Sequence, residues 1–331
     1  MNADSDLAVY AAVDFGGTRI RSAIVLPDGA VEGWNTTETP HGEGASAVVE
    51  RVADSVETSI NVSGVQVAEI RAMGVAAPGP LDHKTGMVLH APNIPGFENV
   101  QVAGPLSNRL GFPVFLGNDA NLAALAEHAY GAGRGVRDMV YVTVSTGVGG
   151  GVLVDGELLL GATGNAGEVG HSTVNMHGDY HQCGNLGCVE MYASGGGMSQ
   201  QASAALAAGR QSSLQSAFDE RGRVSGREVI EAARLGDGLA VEIVDHAVEA
   251  LAAGILSFVH VLNPELVIIG GGVANAGDIL FKPLRKIVYE RALPGFGQIL
   301  RIEPWTLGEG VGILGAAEWA RRNLRDRAGY S

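Results

Sequence analysis

The sequence predicts an α/β protein of two similar domains facing a cleft. Three observations carry that expectation. The 331 residues leave room for two domains of about 150 residues each. The chain contains two successive units that each open as strand, glycine turn, strand, a weak internal repeat. Around them, strand-like and helix-like runs alternate, and with 46% apolar and 18% charged residues there is ample material to bury between layers.

The first unit opens with an apolar run from Leu7 to Asp14, a turn at Phe15-Gly-Gly-Thr18, and strands at Ile20–Leu26 and Val31–Thr37 joined by Pro27-Asp-Gly29. Ala45 to Ile60 has helical periodicity and Glu69 to Ala76 returns to strand. After a Gly/Pro/Asn-rich passage, Pro113–Leu116 is a short strand. Leu122, Leu125 and Ala129 then mark an amphipathic helix over Ala120–Ala129. The second unit begins with a strand at Met139–Ser145, a turn at Thr146-Gly-Val-Gly-Gly-Gly151 and a returning strand at Val152–Val154. Then come the end of a helix at Ile255–Val261, a strand at Leu266–Ile269, a turn at Gly270–Gly272, a helix at Ile279–Arg291 and a strand at Ile299–Glu303. A last helix starts near Glu309. It carries Arg321, Arg322, Arg325 and Arg327, a basic end suited to the helix dipole.

Composition excludes several classes. The 49 glycines have no three-residue period and accompany only 12 prolines, so collagen is ruled out. A net charge of −14, with only three lysines, disfavours nonspecific attraction to phosphate backbones, and no nucleic-acid partner is expected. No apolar run reaches the length of a membrane span, and the acidic start Met1–Asp6 is unlike a secretory signal. A cytoplasmic protein without a membrane partner is expected. Neither G-x-G-x-x-G after the first strand nor G-x-x-x-x-G-K-[ST] occurs, which argues against dinucleotide-binding and P-loop folds.

Asp14, Gly16, Gly17 and Thr18 put an acid at a strand end and unhindered backbone in the next turn, a pattern suited to phosphate and to Mg²⁺ held by Asp14. Thr146 and Gly147 open a second such turn, and Gly270, Gly271 and Gly272 a third beside which a nucleoside would lie. Each of these also reads as a plain tight turn. Asp119 stands at a helix start, where it either caps the helix or accepts the proton of a substrate hydroxyl; Asn118 suits a vicinal diol. Glu168, His171 and Glu190 supply two carboxylates and an imidazole for further hydroxyls. Loops around Gly79 and Asn93 would complete the pocket with backbone groups.

The two cysteines lie in His181-Gln-Cys183-Gly-Asn-Leu-Gly-Cys188. With His171, the set His171, His181, Cys183 and Cys188 has the composition of a closed structural zinc site. A Cys183–Cys188 disulfide and the replacement of one histidine by His177 are the alternatives.

These motifs, in this order, resemble the ROK family of sugar kinases, particularly its bacterial glucokinases, from about Ala8 to Ala320. The resemblance implies an actin-like, hexokinase-type fold. Residues 1–118 and the C-terminal helix 312–331 would form a smaller domain, and 119–311 a larger one carrying the zinc loop. It implies ATP and Mg²⁺ in a closing cleft, Asp119 as catalytic base, and sugar contacts at Asn118, Glu168, His171, Glu190 and Asn93. A homodimer is the family expectation. The family's zinc run is Cys-x-Cys-Gly-x-x-Gly-Cys; His181 replaces its first cysteine here. The family also includes repressors with an N-terminal helix-turn-helix domain, for which a first strand at residue 8 would leave no room. The expected reaction is phosphorylation of the glucose 6-hydroxyl by ATP. Mannose, fructose or an N-acetylhexosamine as substrate, polyphosphate as donor, and a sugar-sensing regulator without catalysis are the alternatives.

Overall fold

The computed structural model describes residues 8–329, so Leu7 and the acidic Met1–Asp6 lie outside it. In chain order the elements are β1 (Val9–Phe15), β2 (Arg19–Val25), β3 (Val31–Glu38), α1 (Ala45–Ser63), β4 (Ile70–Ala77), β5 (Leu81–Asp82), β6 (Met87–His90), β7 (Glu98–Gln101), α2 (Ala103–Leu110), β8 (Val114–Asn118) and α3 (Asp119–Tyr130). There follow β9 (Met139–Val144), β10 (Val148–Val154), β11 (Glu157–Leu158), α4 (Val189–Ala193), α5 (Gly195–Ala207), α6 (Gln215–Arg221), α7 (Gly226–Arg234), α8 (Gly238–Leu262), β12 (Leu266–Gly270), α9 (Asp278–Arg291), β13 (Arg301–Pro304) and α10 (Val311–Gly329).

The chain forms two compact units. One comprises Met1–Arg134, Leu158–Ala166 and Leu307–Ser331; the other comprises Gly135–Glu157 and Gly167–Thr306. These boundaries differ from those expected at 118/119 and 311/312. Helix α3 packs chiefly against α10 in the first unit, with further contacts to β8 and β4.

The first unit is built on a sheet of order β3-β2-β1-β4-β8, with β1–β2–β3 antiparallel and β1, β4 and β8 parallel. The second has a sheet of order β11-β10-β9-β12-β13, with β9–β10 antiparallel and β9, β12 and β13 parallel. The faint repeat in the sequence is thus a repeat of topology, in which a hairpin flanks one side of the opening strand and two crossover strands flank the other. Almost every residue of β1, β4, β9 and β12 is buried, as strands with helices on their faces require.

Several helices begin at a side-chain cap. Ser194 accepts the Gly197 N–H ahead of α5, Ser225 and Glu228 form a capping box at α7, and Asp237 accepts the Ala240 N–H at α8. Helix α1 stops at Gly64, whose left-handed backbone returns its N–H to Ile60. Among the described residues no helix is long and apolar enough to cross a membrane.

Two local expectations are corrected. Gly149–Gly151, expected in a turn, lie inside β10 opposite Thr143, Val142 and Tyr141. A side chain at Gly150 would meet Val169 at 2.6 Å and the Tyr141 carbonyl at 2.8 Å, so close packing, not turning, calls for glycine there. Arg321 and Arg322, expected at a helix end, stand two turns before it, because α10 runs on to Gly329. Both bind the fully buried Glu318, Arg321 by two contacts of 2.6 Å and Arg322 by one of 2.8 Å. The side chain of Arg327 lies outside the described residues.

Burial alone would push the Glu318 carboxyl up, but the hydrogen bonds and charges of Arg321 and Arg322 outweigh it and hold it below its ordinary value. Because both arginines remain partly solvated, Glu318→Ala is expected to cost about 2–3 kcal/mol, below the full penalty of a broken buried pair. Urea denaturation at pH 7 measures this. The folded-state shift is downward, so the contribution is complete above the ordinary value of 4.5 and disappears as pH falls through the depressed folded one.

Candidate active site

In the first unit, β8 delivers Asn118 to the start of α3. The Asn118 side chain caps that helix, its Oδ1 accepting the N–H groups of Ala120 and Asn121 at 3.0 and 3.1 Å. Asn118, not Asp119, therefore performs the capping. Asp119 is the first helical residue and takes the Ala120 N–H on Oδ1 at 2.8 Å. Residues 120–127 of the helix are buried and Asp119 is exposed, so an acid stands at the mouth of an otherwise buried helix. Gly79 lies beside the Asn118 amide; a side chain there would come within 3.0 Å of Nδ2.

The turn after β1 lies in the same unit. The Gly16 N–H is bonded to the Arg19 carbonyl at 3.0 Å and closes the turn, which removes it from the expected phosphate cradle. Gly17 packs on the Asn93 backbone, whose carbonyl would be 2.4 Å from any side chain at that position, so these two candidates are neighbours. Thr18 is exposed. Burial raises the carboxyl pKa of Asp14 against the opposing pull of Arg21, which binds its Oδ2 at 3.2 Å. One carboxylate beside a guanidinium is a sparse donor set for Mg²⁺, which would take most of its oxygens from phosphate and water.

The second unit holds a cavity of about 1010 Å³, large enough for a nucleotide. Two of the candidates, Thr146 and Gly272, line it. Gly147 and Gly271 lie in the adjoining turns, whereas Gly270, expected in a turn, is the last residue of β12, where a side chain would strike the Tyr141 hydroxyl at 2.2 Å. Sequence reasoning missed Gly195 and Gly196 at the start of α5, and Arg221, Arg223, Arg227 and Arg234 across the cavity. The signals were present as a glycine triplet after a capping serine and as the basic stretch Arg221–Arg227 in an acidic chain. Arg221 is held by Glu228, and Arg234 by Glu231 and the Asn275 and Ala276 carbonyls. Arg223 and Arg227 make no ion pair with another described residue.

Also in the second unit, the loop before α4 gathers His171, His181, Cys183 and Cys188, with one donor atom of each within 4.8 Å of all the others. The two sulfurs are 3.7 Å apart and unbonded, and His177 is not part of the cluster. Gly187 makes the tight return of the chain possible. Its backbone is left-handed at φ +58, and a side chain there would overlap the Asn175 carbonyl. The His171 Nδ1 is buried without a hydrogen-bond partner, and its Nε2 lies 3.8 Å from Glu168. Burial, together with the hydrogen bond and charge of Cys183, pushes the Cys188 thiol up to about 11. An orphaned imidazole nitrogen beside two crowded thiols and a second imidazole fits a tetrahedral zinc donor set.

Glu190 is adjacent. Its Oε2 accepts the Val148 N–H at 2.7 Å, and its Oε1 lies 3.3 Å from the His181 Nε2. The absence of a side chain on Gly147 makes room for this carboxylate, since a Cβ would stand 2.5 Å from Oε2. The structure thus brings Glu190, Gly147 and the cysteine loop together in the second unit. Asp119, Asn118 and Gly79 are grouped in the first, as are Gly17 and Asn93.

The chain matches the model of the ROK family over residues 10–323. It is 37% identical over 312 residues to a glucokinase of Thermotoga maritima, covering 94% of this chain and 97% of that protein. A xylose repressor of Caldicellulosiruptor bescii is 30% identical over 274 residues, 83% of this chain and 68% of the repressor. Among solved structures, a ROK family glucokinase from Streptomyces griseus in complex with glucose and AMPPNP has a TM-score of 0.78 at 31% identity, covering 95% of this chain and all of that one. The two sheets with their flanking helices are the actin-like, hexokinase-type α/β fold expected from the sequence.

Proposed function

Since the chain belongs to the ROK family, we propose that it is an ATP-dependent sugar kinase whose substrate is glucose, phosphorylated on the 6-hydroxyl. The observation that carries this reading is Asp119, an exposed carboxylate at the start of a helix already capped by Asn118. Asp119 accepts the proton of the 6-hydroxyl, and the freed oxygen attacks the γ-phosphorus of ATP in line. The new O–P bond forms as the bond to the bridging oxygen breaks, and ADP leaves. Glu168, His171, Glu190 and the Asn118 amide hold the other hydroxyls, with Asn93 and Gly79 completing the sugar site. Magnesium, carried on the phosphates near Asp14, would offset charge on the transferring oxygens. His171, His181, Cys183 and Cys188 would hold one zinc ion, which supplies rigidity to the loop and no reaction chemistry.

Support for glucose comes from the similarity to glucokinases and from the order Glu168-Val-Gly-His171. A coupled assay across glucose, mannose, fructose and N-acetylhexosamines, run with ATP and with polyphosphate, tests it. Turnover highest with glucose and ATP is expected, and a clear preference for another sugar or donor sinks that assignment. The similarity to a xylose repressor favours a second reading, a sugar-sensing regulator. Sugar binding without ADP release in the same assay supports that one instead.

The nucleotide cavity yields a separate expectation. Replacing Arg223 and Arg227 together with alanine raises KM for ATP about tenfold, a typical loss for charge-assisted contacts to phosphate. The dissociation constant for glucose, measured calorimetrically without nucleotide, stays within twofold.

A further inference from the structure

His181 stands where the ROK run has a cysteine, and its two ring nitrogens face different partners. Nδ1 lies 3.0 Å from the Cys183 sulfur, inside the four-residue donor cluster, and Nε2 lies 3.3 Å from Glu190 Oε1. Both side chains are largely buried, with 12% of His181 and 18% of Glu190 exposed. The other oxygen of Glu190 is already fixed by the Val148 N–H at the β9–β10 turn. We infer that His181 is a positioning residue that ties the metal cluster to the sugar-binding carboxylate of Glu190, an inference that rests on Glu190 as a sugar contact. A thiolate at this position could serve the cluster but has no second polar atom to offer Glu190.

The chemistry of imidazole makes the tie directional. With Nδ1 committed to the cluster, the neutral ring carries its proton on Nε2 and donates it to Glu190. Without that commitment the proton is free to sit on Nδ1 beside the Cys183 sulfur, which leaves a lone pair on Nε2 facing the carboxylate. With Nδ1 committed, both Glu190 oxygens are aimed by N–H donors, one from the loop and one from the β9–β10 turn. Their remaining lone pairs point to fixed places for sugar hydroxyls. Reciprocity follows: if the bound metal raises sugar affinity through the His181–Glu190 bond, bound sugar raises metal affinity by the same factor.

Two variants test this in the purified, zinc-loaded protein. Glu190→Ala leaves all four donor residues in place, yet zinc affinity measured by chelator competition is expected to fall about tenfold, the scale of losing a partner behind a ligating histidine. His181→Cys restores the family's cysteine. It is expected to keep one zinc per chain while the dissociation constant for glucose, measured calorimetrically without ATP, rises about tenfold and kcat changes less than twofold. Zinc affinity unchanged within twofold in Glu190→Ala, or unchanged glucose affinity in zinc-loaded His181→Cys, overturns the inference. The chelator measurement contains no sugar. If the unaltered protein proves to bind another ligand, the functional reading falls while that measurement still reports the His181–Glu190 link.

Discussion

Replacing Asp119 with alanine is expected to lower kcat for the proposed sugar phosphorylation by at least ~10²-fold, the ordinary scale for losing a general base. The effect is kinetic and not a consequence of unfolding, because Asn118 provides the cap of α3 through two backbone N–H groups. Asp119 adds only its charge at a helix start, worth about 0.3–1 kcal/mol. The midpoint of thermal unfolding should therefore move by only a few degrees while turnover collapses. Asp119→Asn is a stricter version, since it keeps size and hydrogen bonding but cannot take the proton. Steady-state kinetics beside calorimetry separate the two effects. Near-normal sugar-dependent ADP release in either variant would remove Asp119 from the mechanism.

Removing the metal donors produces the second large effect. Elemental analysis is expected to find about one zinc per chain in the unaltered protein and none in a Cys183→Ser/Cys188→Ser variant, whose KM for the sugar is expected to rise by about 10–100-fold. The sulfurs are 3.7 Å apart, and burial with the hydrogen bond and charge of Cys183 raises the Cys188 thiol, so ionising both would be favoured only with a cation between them. None of the four donor residues lies in the first unit, and all four lie in the stretch that carries His171 and leads into Glu190. Sugar affinity should thus suffer before the phosphoryl-transfer step does. A fully active protein with no metal would defeat this account.

Much of the architecture was legible in the sequence for a simple reason. A strand buried on both faces leaves a continuous apolar run and a helix buried on one leaves a periodic one, and Val9–Phe15, Ala45–Ser63 and Leu266–Gly270 fall where those patterns put them. The elements that escaped, β5 to β7, α2, β11 and α4 to α7, are mostly short or carry weak patterns. Gly149–Gly151 misled because glycine serves two ends. It frees the backbone to turn, and it removes a side chain where Val169 needs the space; only the neighbour tells which applies. In the same way Arg321 and Arg322 resembled a helix end until the buried Glu318 was seen opposite them.

Within the candidate site, the residue types were readable and their partners were not. The sequence by itself determined the family, the two-unit α/β plan, the acid at Asp119 and the set of four soft metal donors, because each is a matter of local order and spacing. Only the tertiary structure decided that Asn118 does the capping, that the Gly16 N–H closes a turn, that four arginines surround the nucleotide-sized cavity, and that His181 reaches from the metal donors to Glu190. The physical reason is that hydrogen bonds and steric contacts act over about 3–4 Å in space, a distance that sequence separation does not encode.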